Sequence, residues 1–302
     1  MPLQDVLQAL AIVVVWGINF VVIKWGVADV PPLLLGALRF ALASFPALLF
    51  IRRPAIPWPW VAAYGLTVGL GQFSFLFSAI KLGMPAGLAS VVLQSQAFFT
   101  LILAGLVLKE RWQAAQVGGL LCAAAGLALI GMAKGGNMTA IGFGLTLAAA
   151  VCWAGSNIII RLIGKAGYRI QPLNLVVWSS LVLPLPFFAL SLLIEGGERV
   201  TAALSGFSLS SFLAVAYLAF MATLLGYGMW SRLLSRHPAN KVAPFSLLVP
   251  VVGVLTSSLL LGERLSVLQA AGSVLLLGGL IVNLFGGQWL QRLRTRPVRH
   301  GA

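Results

Sequence analysis

Cutting the chain at its charged residues leaves uncharged runs at 6–23, 54–80, 82–108, 112–133, 135–160, 170–194, 200–231, 242–262 and 265–291. Each has at least 18 residues, the length at which a helix rising about 1.5 Å per residue crosses a hydrocarbon core of about 30 Å. A further apolar stretch, Pro31 to Ile51, is interrupted only by Arg39. The pattern predicts ten helical spans, at 6–25, 31–51, 58–80, 86–108, 113–133, 139–161, 172–194, 209–232, 241–261 and 266–287. Continuous runs of this length argue for helices, because barrel strands alternate over about ten residues. The connections are short except for a polar stretch over Glu195–Ser210.

Composition agrees. Residues AVILMFWYC make up 60% of the 302 positions and charged residues 9%, against about 45–50% and about 25% in soluble domains. So few charges cannot cover a soluble globule of 31.9 kDa, which excludes soluble enzymes, disulfide scaffolds and disordered chains. The net charge of +14 is placed for topology. With the N-terminus in the cytoplasm, that side receives Arg52, Arg53, Lys109, Arg111, Arg161, Lys165, Arg169, Arg232, Arg236, Lys241, Arg292, Arg294, Arg296 and Arg299, which is 14. The other side receives Lys24, Lys81, Lys134, Arg199 and Arg264, which is 5. The bias predicts both termini in the cytoplasm of a bacterial inner membrane. The basic residues form no aromatic-interleaved face, so no nucleic-acid partner is expected. The first run lacks a basic start and a small-residue cleavage site, and reads as the first span, not a leader. Cys122 and Cys152 fall inside spans without metal or redox spacing.

The chain repeats itself. Residues 79–111 lie without gaps over 232–264, an offset of 153, with Pro85 on Pro238, Ala86 on Ala239 and Glu110-Arg111 on Glu263-Arg264. Gln116, Gly119 and Gly126 continue the register onto Gln269, Gly272 and Gly279. Earlier, Trp16 with Lys24 meets Trp153 with Arg161 at an offset of 137. The expected organisation is a first five-helix repeat over 1–134, a second over 135–288 and a basic cytoplasmic tail over 289–302. Five is odd, so the second half enters the membrane inverted, the construction of alternating-access transporters.

The pattern Trp16-Gly17-x-Asn19-Phe20, Arg39-Phe40, and Pro85-Ala86 before Glu110-Arg111 resembles the drug/metabolite transporter superfamily. Within it the chain is similar to the EamA-type ten-helix permeases, and among those to the YddG-type amino-acid exporters. The second half departs from the pattern, with Val176 opposite Arg39 and Ala154 after Trp153. The resemblance implies an all-α membrane protein: a basket of spans 1–4 and 6–9 around a central cavity, with spans 5 and 10 packed outside. It also supplies the expected activity, export of amino acids. The Gly118-xxx-Cys122-xxx-Gly126 stripe in span 5 and Gly272 with Gly279 in span 10 fit close helix approach in lipid. Packing within a monomer is the first reading of them and a homodimer seam the second.

A cavity site needs polar and aromatic residues on inward faces. The candidates for substrate binding are Trp16 and Asn19 in span 1, Arg39 in span 2, Gln72 and Phe75 in span 3, and Ser90 and Gln94 in span 4. Trp153 and Asn157 in span 6 and Tyr217 and Tyr227 in span 8 complete the set. For each amide an interhelical hydrogen bond is the alternative. Trp58, Trp60 and Trp112 near span ends read as interfacial anchors. Pro85 and Pro238 open spans 4 and 9, whereas Pro46, Pro184, Pro186, Pro244 and Pro250 fall inside spans and should bend them.

Catalysis finds little to work with. His237 lies at a loop and His300 in the tail, and neither HExxH nor GxxxxGK[ST] occurs. No cofactor or metal is expected. A lipid-modifying membrane enzyme and a channel are the other function classes. None of Asp5, Asp29, Glu110, Glu195, Glu198 and Glu263 lies deep in a span, so a cationic solute lacks a counter-charge. A neutral, zwitterionic or weakly anionic metabolite fits better, and flux should need no proton exchange through a buried carboxylate. Arg39, about 12 Å along its span, has two open readings: attraction of a substrate carboxylate, or a tie to backbone carbonyls.

Overall fold

The apolar runs fold as helices because hydrocarbon holds no water to satisfy backbone N–H and C=O groups, so each run must bond its own. The computed structural model describes residues 1–133 and 138–294, and their side chains except those of 239–240 and 287–294. Lys134, most of the basic tail with Arg296, Arg299 and His300, and the side chains of Arg292 and Arg294 lie outside the described residues. The described residues form helices and connections with no strand.

The long helices are α1 (Leu3–Asp29), α2 (Pro32–Leu48), α3 (Trp58–Lys81), α4 (Ala86–Leu108), α5 (Ala114–Met132) and α6 (Ala140–Lys165). They continue as α7 (Pro172–Val182 with Pro184–Glu195), α8 (Leu209–Arg236), α9 (Ala239–Ser246 with Leu248–Leu261) and α10 (Val267–Arg294). Among the described residues eight are long and apolar enough to cross a membrane, and the bent pair of α7 makes a ninth. The 17-residue α2 is shorter. Its expected span to Ile51 stops at Leu48, and the Ile51 carbonyl instead accepts a bond from Trp178 Nε1 at 3.0 Å.

Three departures from the expected boundaries have physical causes. The polar stretch after Glu195 contains a short helix, Gly197–Ser205, held by its single buried residue Val200 and the part-buried Ala203. Helix α6 runs past Arg161 to Lys165, since a long basic stem follows an apolar surface while its charge stays in water. Helix α10 carries on to Arg294, into the segment expected as tail.

Prolines bend the helices that line the middle of the bundle. Helix α7 turns by 42° where Pro184 follows Leu183. Helix α9 breaks at Leu247, three residues before Pro250, whose missing N–H leaves the i−4 carbonyl unbonded. Helices α3 and α8 contain wider π-helical turns, Gly65–Gly71 and Tyr217–Leu225. Their midpoints, residues 68 and 221, stand 153 residues apart, the sequence offset. At the same offset Lys109 and Gly262 end α4 and α9 in left-handed conformation, with φ of 56° and 65°. The amides of Glu110 and Glu263 then reach back to the carbonyls of Ala104 and Ser257, both at 3.3 Å. Just beyond, the amides of Gln113 and Ser266 donate to the side chains of Gln116 and Gln269, both at 2.9 Å.

Helix α1 packs on α9, α2 on α7 and α3 on α6, while α4 meets α9 with its first half and α6 with its second. Helices α5 and α10 lie against each other along their length. Gly119 and Gly126 make that contact: a Cβ on either would sit 2.6 Å from the carbonyl oxygen of Gly279 or Gly272. Gly118 is off the seam, with nothing within 4 Å of its Cβ position. Of the expected Gly118-xxx-Cys122-xxx-Gly126 stripe, Gly126 is on the seam and Cys122 Sγ donates to the Leu275 carbonyl of α10 at 3.4 Å, while Gly119 takes the place of Gly118.

Candidate functional site

One buried cation sits where α2, α3, α7 and α8 meet. Arg39 is 2% exposed. Its Nε and Nη2 donate to Thr223 Oγ1 at 3.2 and 3.0 Å, and the Thr223 hydroxyl donates in turn to the Leu218 carbonyl at 2.8 Å. That last bond spans five residues, so the π-helical turn of α8 is what places the threonine. The guanidinium carbon lies 4.1 Å from the centre of the Phe73 ring, with Phe40 at 5.4 Å and Phe77 at 5.9 Å. Aromatic faces offset part of the cost of burying the charge. The third nitrogen, Nη1, is buried and has no hydrogen-bond partner.

Arg39 lines a cavity of about 20 Å3, room for one or two water-sized groups. Tyr64, Ser179, Ser180, Thr223 and Tyr227 are its polar walls, and Val68, Phe73, Val176 and Leu183 are among its apolar ones. The serine protons are committed to the Val176 carbonyl, at 3.0 Å from Ser179 and 2.7 Å from Ser180. Neither the Tyr64 nor the Tyr227 hydroxyl has a hydrogen-bond partner among the described residues.

Of the residues expected at the site, Arg39 and Tyr227 line the cavity. Trp16 supports it from behind: its ring packs on Tyr227 at 5.5 Å and on Trp230 at 5.3 Å, and its Nε1 donates to the Ala222 carbonyl at 3.0 Å. Asn19 and Gln72 are buried, each with an unpartnered amide oxygen. Others serve as ties between helices. Asn157 Nδ2 donates to Gln96 Oε1 and Thr100 Oγ1 at 2.9 and 3.1 Å, joining α6 to α4. The Tyr217 hydroxyl donates to the Val15 carbonyl at 2.9 Å, joining α8 to α1. Ser90 donates to the Gly87 carbonyl at 2.6 Å, and its side chain fills the space a Cβ on Gly253 of α9 would need. Phe75 is on the exposed face of α3, and Phe73 takes the inward place. Trp153 is part-buried against the apolar core and Gln94 is part-buried in a tighter 3-10 turn of α4. Neither lines the cavity.

Tyr64, Ser179, Ser180 and Thr223 were missing from the sequence-derived set. The repeat register was a signal for one of them, since Tyr64 stands 153 residues before Tyr217. The carbonyl-tie alternative for Arg39 finds no counterpart among the described bonds, all of which go to a side-chain hydroxyl.

Every acid stays away from Arg39. Glu195 accepts from the amides of Leu33 and Leu34 at 2.8 and 3.3 Å, capping α2, and Glu263 accepts from Ala86 and Gly87 at 2.8 and 2.9 Å, capping α4. Glu110 pairs with Arg161 at 2.7 Å. Asp5 lies 2.6 Å from His237 Nε2 and 3.6 Å from Arg236. Asp29 and Glu198 are exposed.

A polytopic helical bundle with a buried arginine lining a small, mostly apolar cavity fits the class of membrane transporters. The chain belongs to the EamA-like transporter family, whose pattern it matches at residues 4–132 and 140–285. It is similar to a protein of Salmonella typhimurium named a probable amino-acid metabolite efflux pump. The identity is 51% over 288 residues, 95% of this chain and 96% of that one. An Escherichia coli K12 protein of the same name is 45% identical over 297 residues, 98% and 99% of the two chains. A crystal structure of a protein 24% identical superposes with a TM-score of 0.64, covering 97% of this chain and 99% of that one, which shows the shared fold.

Proposed function

We propose that the protein exports amino acids and related small metabolites from the bacterial cytoplasm by alternating access. The observation that carries this reading is the acid-free cavity headed by Arg39, in a chain that aligns end to end with relatives named for amino-acid efflux. With α2 and α7 counted as spans, the helices number ten. The recurrence of π-turns, left-handed caps and glutamine caps at one offset, and the two blocks of the family match, support two inverted five-helix repeats. The lysine and arginine bias supports cytoplasmic termini in the inner membrane. The revised binding set is Arg39, Tyr64, Thr223 and Tyr227, with Asn19 and Gln72 as further unpartnered polar groups and Trp16 behind. A monomer is sufficient, since the glycine seam is closed within the chain.

Flux of radiolabelled amino acids, sugars and nucleosides into proteoliposomes of the purified chain tests the reading. Saturable movement of apolar or aromatic amino acids is expected, and movement of sugars or nucleosides alone would replace the substrate class. The coupling expectation has its own measurement, a pH gradient imposed with equal amino acid on both sides. No net accumulation is expected over a pH range where the substrate keeps its charge, since no carboxylate lies within reach of the cavity to carry a proton.

A further inference from the structure

We infer that the Arg39 cavity recognises a carboxylate and is indifferent to the ammonium, so the substrates are apolar monocarboxylates whether or not the amine is free. This rests on the transport reading above and narrows its substrate class. A guanidinium 2% exposed amid phenylalanine rings carries a full charge that no acid of the chain balances: all six lie elsewhere, four of them bonded. A buried cation without a counter-ion is unstable in an apolar interior and draws an anion.

The hydrogen-bond inventory says which kind. Thr223 takes two of the guanidinium nitrogens and leaves Nη1 unpartnered. Two tyrosine hydroxyls on the same cavity also lack partners, while the serine hydroxyls have given their protons to the α7 backbone. The cavity thus holds unused donors around a positive charge, and the complementary group has two acceptor oxygens and a negative charge. Its room, about 20 Å3, matches a carboxylate head. An ammonium in the same space would meet the like charge of Arg39, and the acceptors left to it are the neutral hydroxyl oxygens of Ser179 and Ser180.

The measurement is the thermal stability of the purified full chain in detergent, titrated with phenylalanine, N-acetylphenylalanine, phenyllactate, phenylalaninamide and phenethylamine, alongside competition in the flux assay. The first three are expected to bind within about threefold of one another, and the amide and amine about 10- to 100-fold more weakly, the range for losing a charge-assisted bond in a buried site. Arg39→Gln should abolish the difference between carboxylate and amide. Tyr64→Phe and Tyr227→Phe, which keep the ring, should each weaken carboxylates about 3- to 10-fold and leave the amide unchanged. They carry the test if the arginine variant does not fold. Equal binding of acid and amide, a requirement for the free amine, or no stabilisation by any of the five overturns the inference even where amino-acid flux is observed. Carboxylate-selective stabilisation without flux keeps the site and overturns the transport reading.

Discussion

Gly126→Leu is expected to cost the folded protein more than any single change at the cavity. A Cβ at position 126 would lie 2.6 Å from the Gly272 carbonyl oxygen and 2.7 Å from the Leu276 amide nitrogen, both rigid helix backbone of α10. No rotamer relieves that contact, because it is made by the first atom of the side chain. Alanine should already cost about 1–3 kcal/mol by forcing the helices apart, and leucine more than about 3 kcal/mol. In lipid the pair is held by van der Waals contact at close approach, with no hydrophobic drive to replace it. At about 2–4 °C per kcal/mol for a chain of this order of size, the melting temperature in detergent should fall by about 10 °C, with loss of the monodisperse species. Gly118→Leu is the control, since nothing lies within 4 Å of its Cβ position, and it should stay within a degree or two. If both variants melted together, α5 and α10 would not be held by that seam.

The contrast between positions 118 and 126 shows how far the sequence could be read. A small-residue stripe announces that some helix approaches closely, but a helix turns by about 100° per residue, so Gly119 faces α10 while its neighbour Gly118 faces open space. The spans themselves were legible, because a run of apolar residues as long as the bilayer is thick permits few structures; Ala86–Leu108 appears with the expected bounds. The short helix Gly197–Ser205 was not, since it depends on the docking of two residues, Val200 and Ala203, that form no apolar run. The candidate site was legible in its charge and not in its surroundings. Arg39 stood out as the one charge inside a span. Its anchor Thr223 is 184 residues away and is aimed by a π-turn, a widening of the helix that hydrophobic periodicity does not record. Asn157, Ser90 and Tyr217 carry the same polar signature as binding groups, but their atoms are taken by neighbouring helices. Composition cannot separate a polar group that waits for a ligand from one already satisfied.

Glu263→Ala is expected to loosen one end of the protein and leave the other unchanged. Helix α4 begins at Pro85, which offers no side-chain cap, so the amides of Ala86 and Gly87 would be left open at the helix N-terminus. Glu263 closes them from the end of α9, at 2.8 and 2.9 Å, adding a negative charge at the positive end of the helix dipole. Directly below, the Gly87 Cβ position lies 2.2 Å from Ser257 Oγ, so α4 and α9 are in their closest contact where the carboxylate ties them. The counterpart of Glu263 in the repeat, Glu110, is committed to Arg161, with both side chains about half exposed. The two ends of the bundle thus carry the same acid in different employment. Removing a charged cap at a part-exposed site costs about 1–2 kcal/mol, which shifts an equilibrium between closed and open ends about 5- to 30-fold. Ser257, 2% exposed, reports on that end as Ser257→Cys in a background with Cys122 and Cys152 replaced by alanine. A membrane-impermeant maleimide should label it about tenfold faster when Glu263→Ala is added. Glu110→Ala, acting at the opposite end, should not speed the labelling. An unchanged rate in the Glu263 variant would mean that the tight packing beneath the cap, without the cap, keeps this end closed.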